Sequence, residues 1–118
     1  MYRSANLTVM VSDMQRAIDF YTGVLGLELK VRYGDFWAEV TTPGLTLGLH
    51  PARGAIDRGR CDGLSVGFEV EDIQAAVAAL SAKGVALTAP VRETDELWQA
   101  SFVDPDGTPL YYAQSKYR

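Results

Sequence analysis

The residues with the clearest capacity for chemistry in this 118-residue sequence are one histidine and two carboxylates on predicted strands. His50 is the only histidine, and because an unperturbed imidazole titrates at about pH 6.5, it is a candidate general base. Glu39 and Glu69 are further candidate bases. The simpler interpretation is that His50 hydrogen-bonds backbone or ligand at the rim of a site, and that both carboxylates lie on exposed strand positions.

Two tryptophans, Trp37 and Trp98, lie near predicted hairpin strands at similar places in the two halves of the chain. A pair of indoles beside a cleft would stack on a planar ligand. Packing in the core or in a dimer interface would explain both residues equally well. Trp37 shares strand parity with Glu39 and not with the apolar Val40, which favours Trp37 as a residue that faces a site.

A polar segment, PARGAIDRGRCDG at residues 51–63, separates the two halves. Its arginines, Arg53, Arg58 and Arg60, alternate with acidic residues; they could form a lid that attracts an anionic ligand, although a solvated loop is the commoner outcome. Cys61 has no neighbour in sequence that would activate its thiolate. As the only cysteine it cannot form an internal disulfide, which predicts a cytoplasmic location.

Two copies of one structural unit are predicted to position these residues. The segments DMQRAIDFYTGVLG, from Asp13, and DIQAAVAALSAKG, from Asp72, both have the apolar spacing of an amphipathic helix. Ser12 or Asp13 can cap the first helix, and Gly23 and Gly26 mark its end. In the second helix Asp72 is at the position that matches Asp13, and Gly84 sits where a left-handed C-terminal cap is expected. Each helix follows an alternating strand, LTVMV (7–11) or VGFEV (66–70), and both helix and strand repeat at an offset of 59 residues.

Three strands are predicted after each helix. They are LELKVRY, FWAEVTT and LTLGLH in the first half, and VALTAPVRE, LWQASFV and PLYYAQ in the second, with DPDG as the last turn. The predicted fold is α+β. It has two βαβββ units, about 1–52 and 64–118, joined by a polar linker at 53–63. We expect curved mixed sheets around a concave cleft, with the helices outside.

The alternation of side chains along these strands predicts which residues face the cleft. Leu45, Leu47 and Leu49 are expected to be buried under a helix, and Leu110 and Tyr112 to take the core side of the last strand. The residues expected to line the cleft are Asn6, Thr8, Met10, Thr46, Gly48, His50, Ser65, Gly67, Glu69 and Tyr111.

The element order, the segment VSDMQRAIDFYTGVLGLEL and the segment FVDPDGTPLYY resemble the vicinal oxygen chelate superfamily. This superfamily includes glyoxalase I, fosfomycin-resistance enzymes, extradiol dioxygenases and bleomycin-resistance proteins. The resemblance covers nearly the whole chain, and its motifs are specific for the fold but only weakly specific for activity.

The resemblance also implies where a metal would bind. Metal-dependent relatives use His, Gln or Glu at one position on the first strand and one on the fourth strand of each unit. By register these positions are Asn6, Gly48, Ser65 and Tyr111. None is a good ligand for Zn²⁺, Fe²⁺ or Ni²⁺, so we expect no metal at the usual place. A displaced divalent metal at His50 and nearby carboxylates is the minor alternative.

Composition limits the classes of partner. The 11 basic and 15 acidic residues are spread along the chain, which argues against nucleic acid or an anionic membrane as the main partner. No apolar run approaches membrane-spanning length, and the N-terminus lacks the regions of a signal peptide. The resemblance further predicts a homodimer.

Together these observations predict a metal-independent small-molecule binding protein of the bleomycin-resistance type, which sequesters or carries an aromatic or amphipathic ligand such as an antibiotic. The predicted ligand-binding residues are Asn6, Thr8, Trp37, Glu39, Gly48, His50, Ser65, Trp98 and Tyr111. The alternative is an isomerase, lyase or dioxygenase-like enzyme that uses His50 or a cleft carboxylate, with or without a displaced metal. A purely structural domain fits less well, because Gly48 and Gly67 hollow the surface.

Overall fold

The computed structural model describes residues 1–56 and 63–117. The chain divides into two compact units, Met1–Asp57 and Arg58–Arg118. The predictions made for the middle of the linker lie outside the described residues; they concern Asp57, Arg58, Arg60, Cys61 and Asp62.

The first unit is a four-stranded mixed sheet with a helix packed on one face. Its elements are β1 (Leu7–Val11), α1 (Met14–Ile18), β2 (Glu28–Tyr33), β3 (Trp37–Thr42) and β4 (Leu45–Pro51). The strand order is β1-β4-β3-β2. β1 is parallel to β4, and the other neighbours are antiparallel. α1 packs against β3 and β4.

The first helix begins as predicted and ends before Gly26, as predicted, but its last part is not α-helical. Asp13 caps it, because its Oδ1 accepts a hydrogen bond from the Arg16 backbone N–H at 2.9 Å. After Ile18 the helix widens into a π-helical segment, Asp19–Val24, in which the Leu25 N–H donates to the Phe20 carbonyl. The Thr22 hydroxyl donates to the Ile18 carbonyl at 2.7 Å and so competes for an α-helical acceptor.

The second unit repeats this topology. Its elements are β5 (Val66–Glu69), α2 (Ile73–Ala82), β6 (Arg92–Glu93), β7 (Leu97–Val103) and β8 (Pro109–Ser115). The strand order is β5-β8-β7-β6, with β5 parallel to β8. Asp72 caps α2, and Gly84 follows it with a φ of 81°. The βαβββ order predicted for both halves is confirmed.

One predicted strand is much shorter than expected. The sequence predicted a strand over VALTAPVRE, residues 85–93, but only Arg92–Glu93 pairs with β7. Pro90 has no N–H to donate to a ladder, and it biases the residue before it toward an extended, unpaired path. The Thr88 N–H still bonds the Ser101 carbonyl at 2.8 Å, so this segment follows the sheet without joining it.

Each sheet has a helix face, on which its helix packs, and an opposite open face. The helix face holds the core of each unit, and the predicted burial of Leu47, Leu49 and Leu110 is confirmed, with Leu45 half-buried. The open face carries the candidate chemistry. No helix in the described parts of the chain has both the length and the apolar character needed to cross a membrane.

Candidate ligand site on the open face

An aromatic ring covers a glycine in the middle of the first sheet. On the open face, Glu39 of β3 pairs with Gly48 of β4, and Trp37 lies two residues along the same strand. A Cβ atom at position 48 would overlap the six-membered ring of the Trp37 indole and would lie 2.7 Å from Cζ2. Glycine at position 48 therefore allows the indole to lie against the backbone of β4.

The indole is held in place by two neighbours on the same face. Its Nε1–H donates to Oε2 of Glu39 at 3.0 Å. The ring also meets His50 in an edge-to-face contact, with ring centroids 6.4 Å apart. The indole therefore has its polar atom bonded and its ring in contact with glycine and histidine, which fixes its orientation on the open face.

His50 presents one ring nitrogen to its surroundings. Its Nδ1 lies 2.8 Å from the Pro51 carbonyl oxygen, which can only accept. Nδ1 therefore carries the proton in the neutral ring, and Nε2 keeps its lone pair. The imidazole can accept a hydrogen bond from a ligand through Nε2.

A groove extends from the open face past the end of β4. It has a volume of about 390 Å³ and is lined by Met10, His50 and the segment 51–56, which includes Arg53. The Ala52 N–H donates to the Val11 carbonyl and so fixes the start of this segment beside β1. Except for Arg53, sequence reasoning did not single out this segment, because its path after the strand has no periodicity to read.

Two small polar side chains lie at the start of the first strand. The Thr8 hydroxyl donates to Oδ1 of Asn6 at 2.9 Å, and both residues are exposed. Thr8 pairs directly with Gly48 across the parallel ladder. Asn6 and Thr8 are therefore on the same sheet face as the tryptophan, where they can hydrogen-bond a ligand.

The open face of the second unit contains a second ring over a glycine. Gly67 of β5 pairs with Tyr111 of β8, and a Cβ atom at position 67 would overlap the phenol. Ser65 precedes β5, and Glu69 ends it; both are exposed. The second sheet thus presents an aromatic surface of its own, with serine and glutamate along the neighbouring strand.

The donors at the family's metal positions do not fit a divalent ion. In corresponding pairs of the two ladders, Thr8 faces Gly48 and Gly67 faces Tyr111, so Gly48 and Tyr111 take equivalent places. Asn6 and Ser65 each precede their pair by two residues. Glycine offers no donor, and amide, hydroxyl and phenol are poor substitutes for His and carboxylate. Among residues 1–56 and 63–117 there is also no group of three or more His, Cys, Asp or Glu side chains arranged to hold a metal.

Trp98 is not on either open face. It pairs with Gln114 and alternates with the buried Ala100 and Phe102, so it lies on the helix face of the second sheet. There it lines a groove of about 720 Å³ beside α2, and Lys116 Nζ lies 4.7 Å from its ring centroid. The structure therefore does not bring Trp98 together with Tyr111, and the alternation in LWQASFV could have shown this.

Residues 3–111 match the family model described as Glyoxalase/Bleomycin resistance protein/Dioxygenase superfamily. The chain belongs to this superfamily, which confirms the family predicted from its motifs. No curated protein sequence matches the chain.

Solved structures agree with this assignment. The chain is similar to TnmS3, an antibiotic binding protein from Streptomyces sp. CB03234, at 28% identity and a TM-score of 0.70, with 98% of this chain and 99% of TnmS3 covered. A protein of unknown function from Agrobacterium tumefaciens str. C58 has 23% identity and a TM-score of 0.79, with 98% and 95% covered. The glyoxalase family protein from Enterococcus faecalis has 23% identity and a TM-score of 0.78, with 95% and 98% covered. The last two support the fold alone.

Proposed function

We propose that this chain is a small-molecule binding protein that holds a planar aromatic ligand on the open face of its first unit, without a metal ion. The observation that carries this proposal is the Trp37 indole lying against Gly48. The ring covers the place where metal-dependent relatives have a ligand side chain, and it offers stacking in place of coordination.

The physical properties of this face suit binding. A ring already held by Glu39 and His50 loses little further conformational freedom when a ligand stacks on it, so more of the stacking energy appears as affinity. Stacked aromatic pairs contribute roughly 0.5–1.5 kcal/mol beyond their buried area. The groove of about 390 Å³ beside His50 is within the size range of small-molecule sites.

Polar groups around the ring can fix the orientation of the ligand. In this proposal Asn6 and Thr8 supply hydrogen bonds at one strand, and His50 accepts one through Nε2. The open face of the second unit, taken by itself, offers Tyr111 and Ser65 as an aromatic and polar surface of its own. The similarity to TnmS3, an antibiotic binding protein, supports an organic ligand and makes planar antibiotics the first compounds to test.

The proposal is tested with chelator-treated protein, a panel of planar antibiotics and aromatic metabolites, and two matched variants. A ligand at 100 times its Kd should stabilise the fold by about 2.7 kcal/mol and raise Tm by several degrees. We expect that ligand to quench the fluorescence of the wild type and of Trp98→Phe. We expect Trp37→Phe to bind at least about tenfold more weakly, because the indole surface is lost.

Other outcomes would contradict the proposal. Stabilisation by a divalent metal alone, or equal loss of binding in Trp98→Phe, would exclude the open face of the first unit as a metal-free site. Conversion of a bound compound by the wild type, abolished in His50→Gln, would favour the enzymatic alternative. The specific observation behind that alternative is the lone pair that His50 keeps on Nε2.

A further inference from the structure

The carboxylate of Glu39 lies directly beside the proposed stacking surface. Its Oε2 accepts the hydrogen bond from Trp37 Nε1, and this bond does not involve Oε1. Glu39 is half-buried in the middle of β3, where it pairs with Val31 on one side and Gly48 on the other. A ligand that stacks on the indole would therefore approach a negative charge that is partly removed from water.

Among the other charged residues of the first unit, Glu28 adds a second negative charge to this face. Glu28 pairs with Thr41 and lies on the same open face at the edge strand. Arg32 lies on the helix face, where it bonds Gln15 and Asp35. Lys30 falls at the irregularity between Leu29 and Val31, where the ladder gives it no partner in register. Arg53 lies outside the sheet, in the groove beyond His50.

We infer that the ligand of this face is a planar aromatic cation, stacked on Trp37 with its positive nitrogen bound to Glu39. The inference rests on the proposed function and narrows its ligand class. A cation is attracted both by the carboxylate and by the face of the indole. A neutral ring would cover the carboxylate and remove water from it without replacing the lost interaction, and an anion would also be repelled.

Three tricyclic probes of matched shape separate these cases at about pH 8. Proflavine is a cation there, acridine is neutral, and acridine-9-carboxylate is an anion. We expect the wild type to bind proflavine roughly tenfold more tightly than acridine, and the carboxylate more weakly than acridine, as measured by fluorescence titration. We also expect sodium chloride to weaken proflavine binding and to leave acridine binding nearly unchanged.

The matched variants are Glu39→Gln and Glu28→Gln, which remove the same charge from the same face. Glutamine at position 39 keeps an acceptor for Trp37 Nε1, so the indole stays in place. We expect Glu39→Gln to abolish most of the roughly tenfold preference for proflavine, through weaker proflavine binding and equal or tighter acridine binding, because an amide costs less to desolvate than a carboxylate. Glu28→Gln, at the edge strand, should change the preference less than about twofold.

The outcomes for the inference and for the proposed function can be told apart. Binding of all three probes with similar affinity, or an unchanged preference in Glu39→Gln, would overturn the inference and leave the stacking site intact. Binding of none of them would overturn the proposed function for this face. If Glu39→Gln does not fold, the salt dependence of proflavine against acridine in the wild type decides the question.

Discussion

At the scale of single residues, Gly48 and Trp37 behave as one packing element. Position 48 cannot hold a larger residue while the indole occupies its present place, because a Cβ atom would overlap the ring. The ring in turn depends on Glu39 for its one polar bond. A substitution at position 48 should therefore displace the Trp37 indole and alter its hydrogen bond with Glu39.

We predict that Gly48→Ala displaces the indole and destabilises the fold by about 1–3 kcal/mol, the usual cost of overpacking a filled site. Urea unfolding measures the loss, and a changed tryptophan emission spectrum reports the movement of the ring. The matched control is Gly23→Ala, since a Cβ atom at position 23 meets no atom within 4 Å and the residue does not have a positive φ. This control should be neutral or stabilising by about 0.5–1 kcal/mol. Equal stability of Gly48→Ala and the wild type would contradict the packing argument.

Strand parity was enough to predict which residues share the open face, but not how their rings lie. The sequence placed Trp37, Glu39 and His50 on one side of the first sheet, as the structure does. The contact of the indole with Gly48 depends on a rotamer choice, and the sequence leaves several open. For Trp98 the sequence analysis left stacking and core packing open, although the alternation with Ala100 and Phe102 already pointed to the helix face, where the structure places it.

At the scale of secondary-structure elements, the helix face of β8 holds an aromatic cluster. Tyr112 contacts Phe102 and Phe68, with ring centroids 4.9 Å and 6.2 Å away. Burial raises the pKa of Tyr112 above its ordinary value of 10.0. The phenol therefore ionises at a higher pH in the folded protein than in the unfolded chain.

Because of this pKa shift, the free energy of unfolding decreases as pH rises in the alkaline range. The contribution of Tyr112 to stability is fully present below pH 10.0, the ordinary pKa of a tyrosine. It is lost as pH rises from there through the folded pKa, because the unfolded state releases its proton first. We predict that Tyr112→Phe has a smaller loss of unfolding free energy than the wild type between about pH 8 and 11. Urea titrations measure the loss, and Tyr2→Phe, at an exposed position outside the proposed interface, should keep the wild-type dependence. Parallel curves for Tyr112→Phe and the wild type would contradict this assignment.

Local chemistry predicted the ends of elements better than their middles. The caps at Asp13 and Asp72 and the positive φ at Gly84 follow from rules that involve only a few neighbouring residues. The π-helical segment and the short β6 do not follow such rules. In the π-helical segment a side-chain hydroxyl competes with a backbone N–H for one carbonyl. In β6 a proline opposes strand pairing. The rest of the unit determines the outcome in both cases.

At the scale of the whole molecule, the sequence repeat corresponds to two sheets with the same connections. The offset of 59 residues relates β1 to β5 and the two capping aspartates to each other. Both sheets place the fourth strand of the unit beside the first, in parallel. The repeat was visible in the sequence because caps, turns and alternation all recur, even though few residues are identical.

We propose that the chain forms a homodimer through the β2–β3 hairpin of the first unit. Leu29, Tyr33 and Phe36 lie there with 45%, 65% and 78% of their surface exposed, on an edge strand and its turn. Exposed apolar residues on an edge strand and its turn can serve as an interaction surface. Light scattering should give about twice the chain mass of 12.9 kDa.

Two serine variants test this surface. Phe36→Ser should shift the protein toward monomer, whereas Leu64→Ser, at a residue that is 69% exposed outside the hairpin, should not. A wild-type protein that is monomeric at all concentrations, or a dimer unaffected by Phe36→Ser, would exclude the hairpin as the interface.

The two pairs of ring and glycine also bear on how such a protein can acquire new ligands. In each sheet, the space that a glycine leaves is filled by a side chain from a neighbouring strand of the same unit: Trp37 over Gly48, and Tyr111 over Gly67. A single replacement of either ring by a smaller residue would open a hollow down to the backbone, without any change in the main chain. A lineage, or a directed-evolution experiment, can therefore enlarge or reshape one half while the other keeps its chemistry.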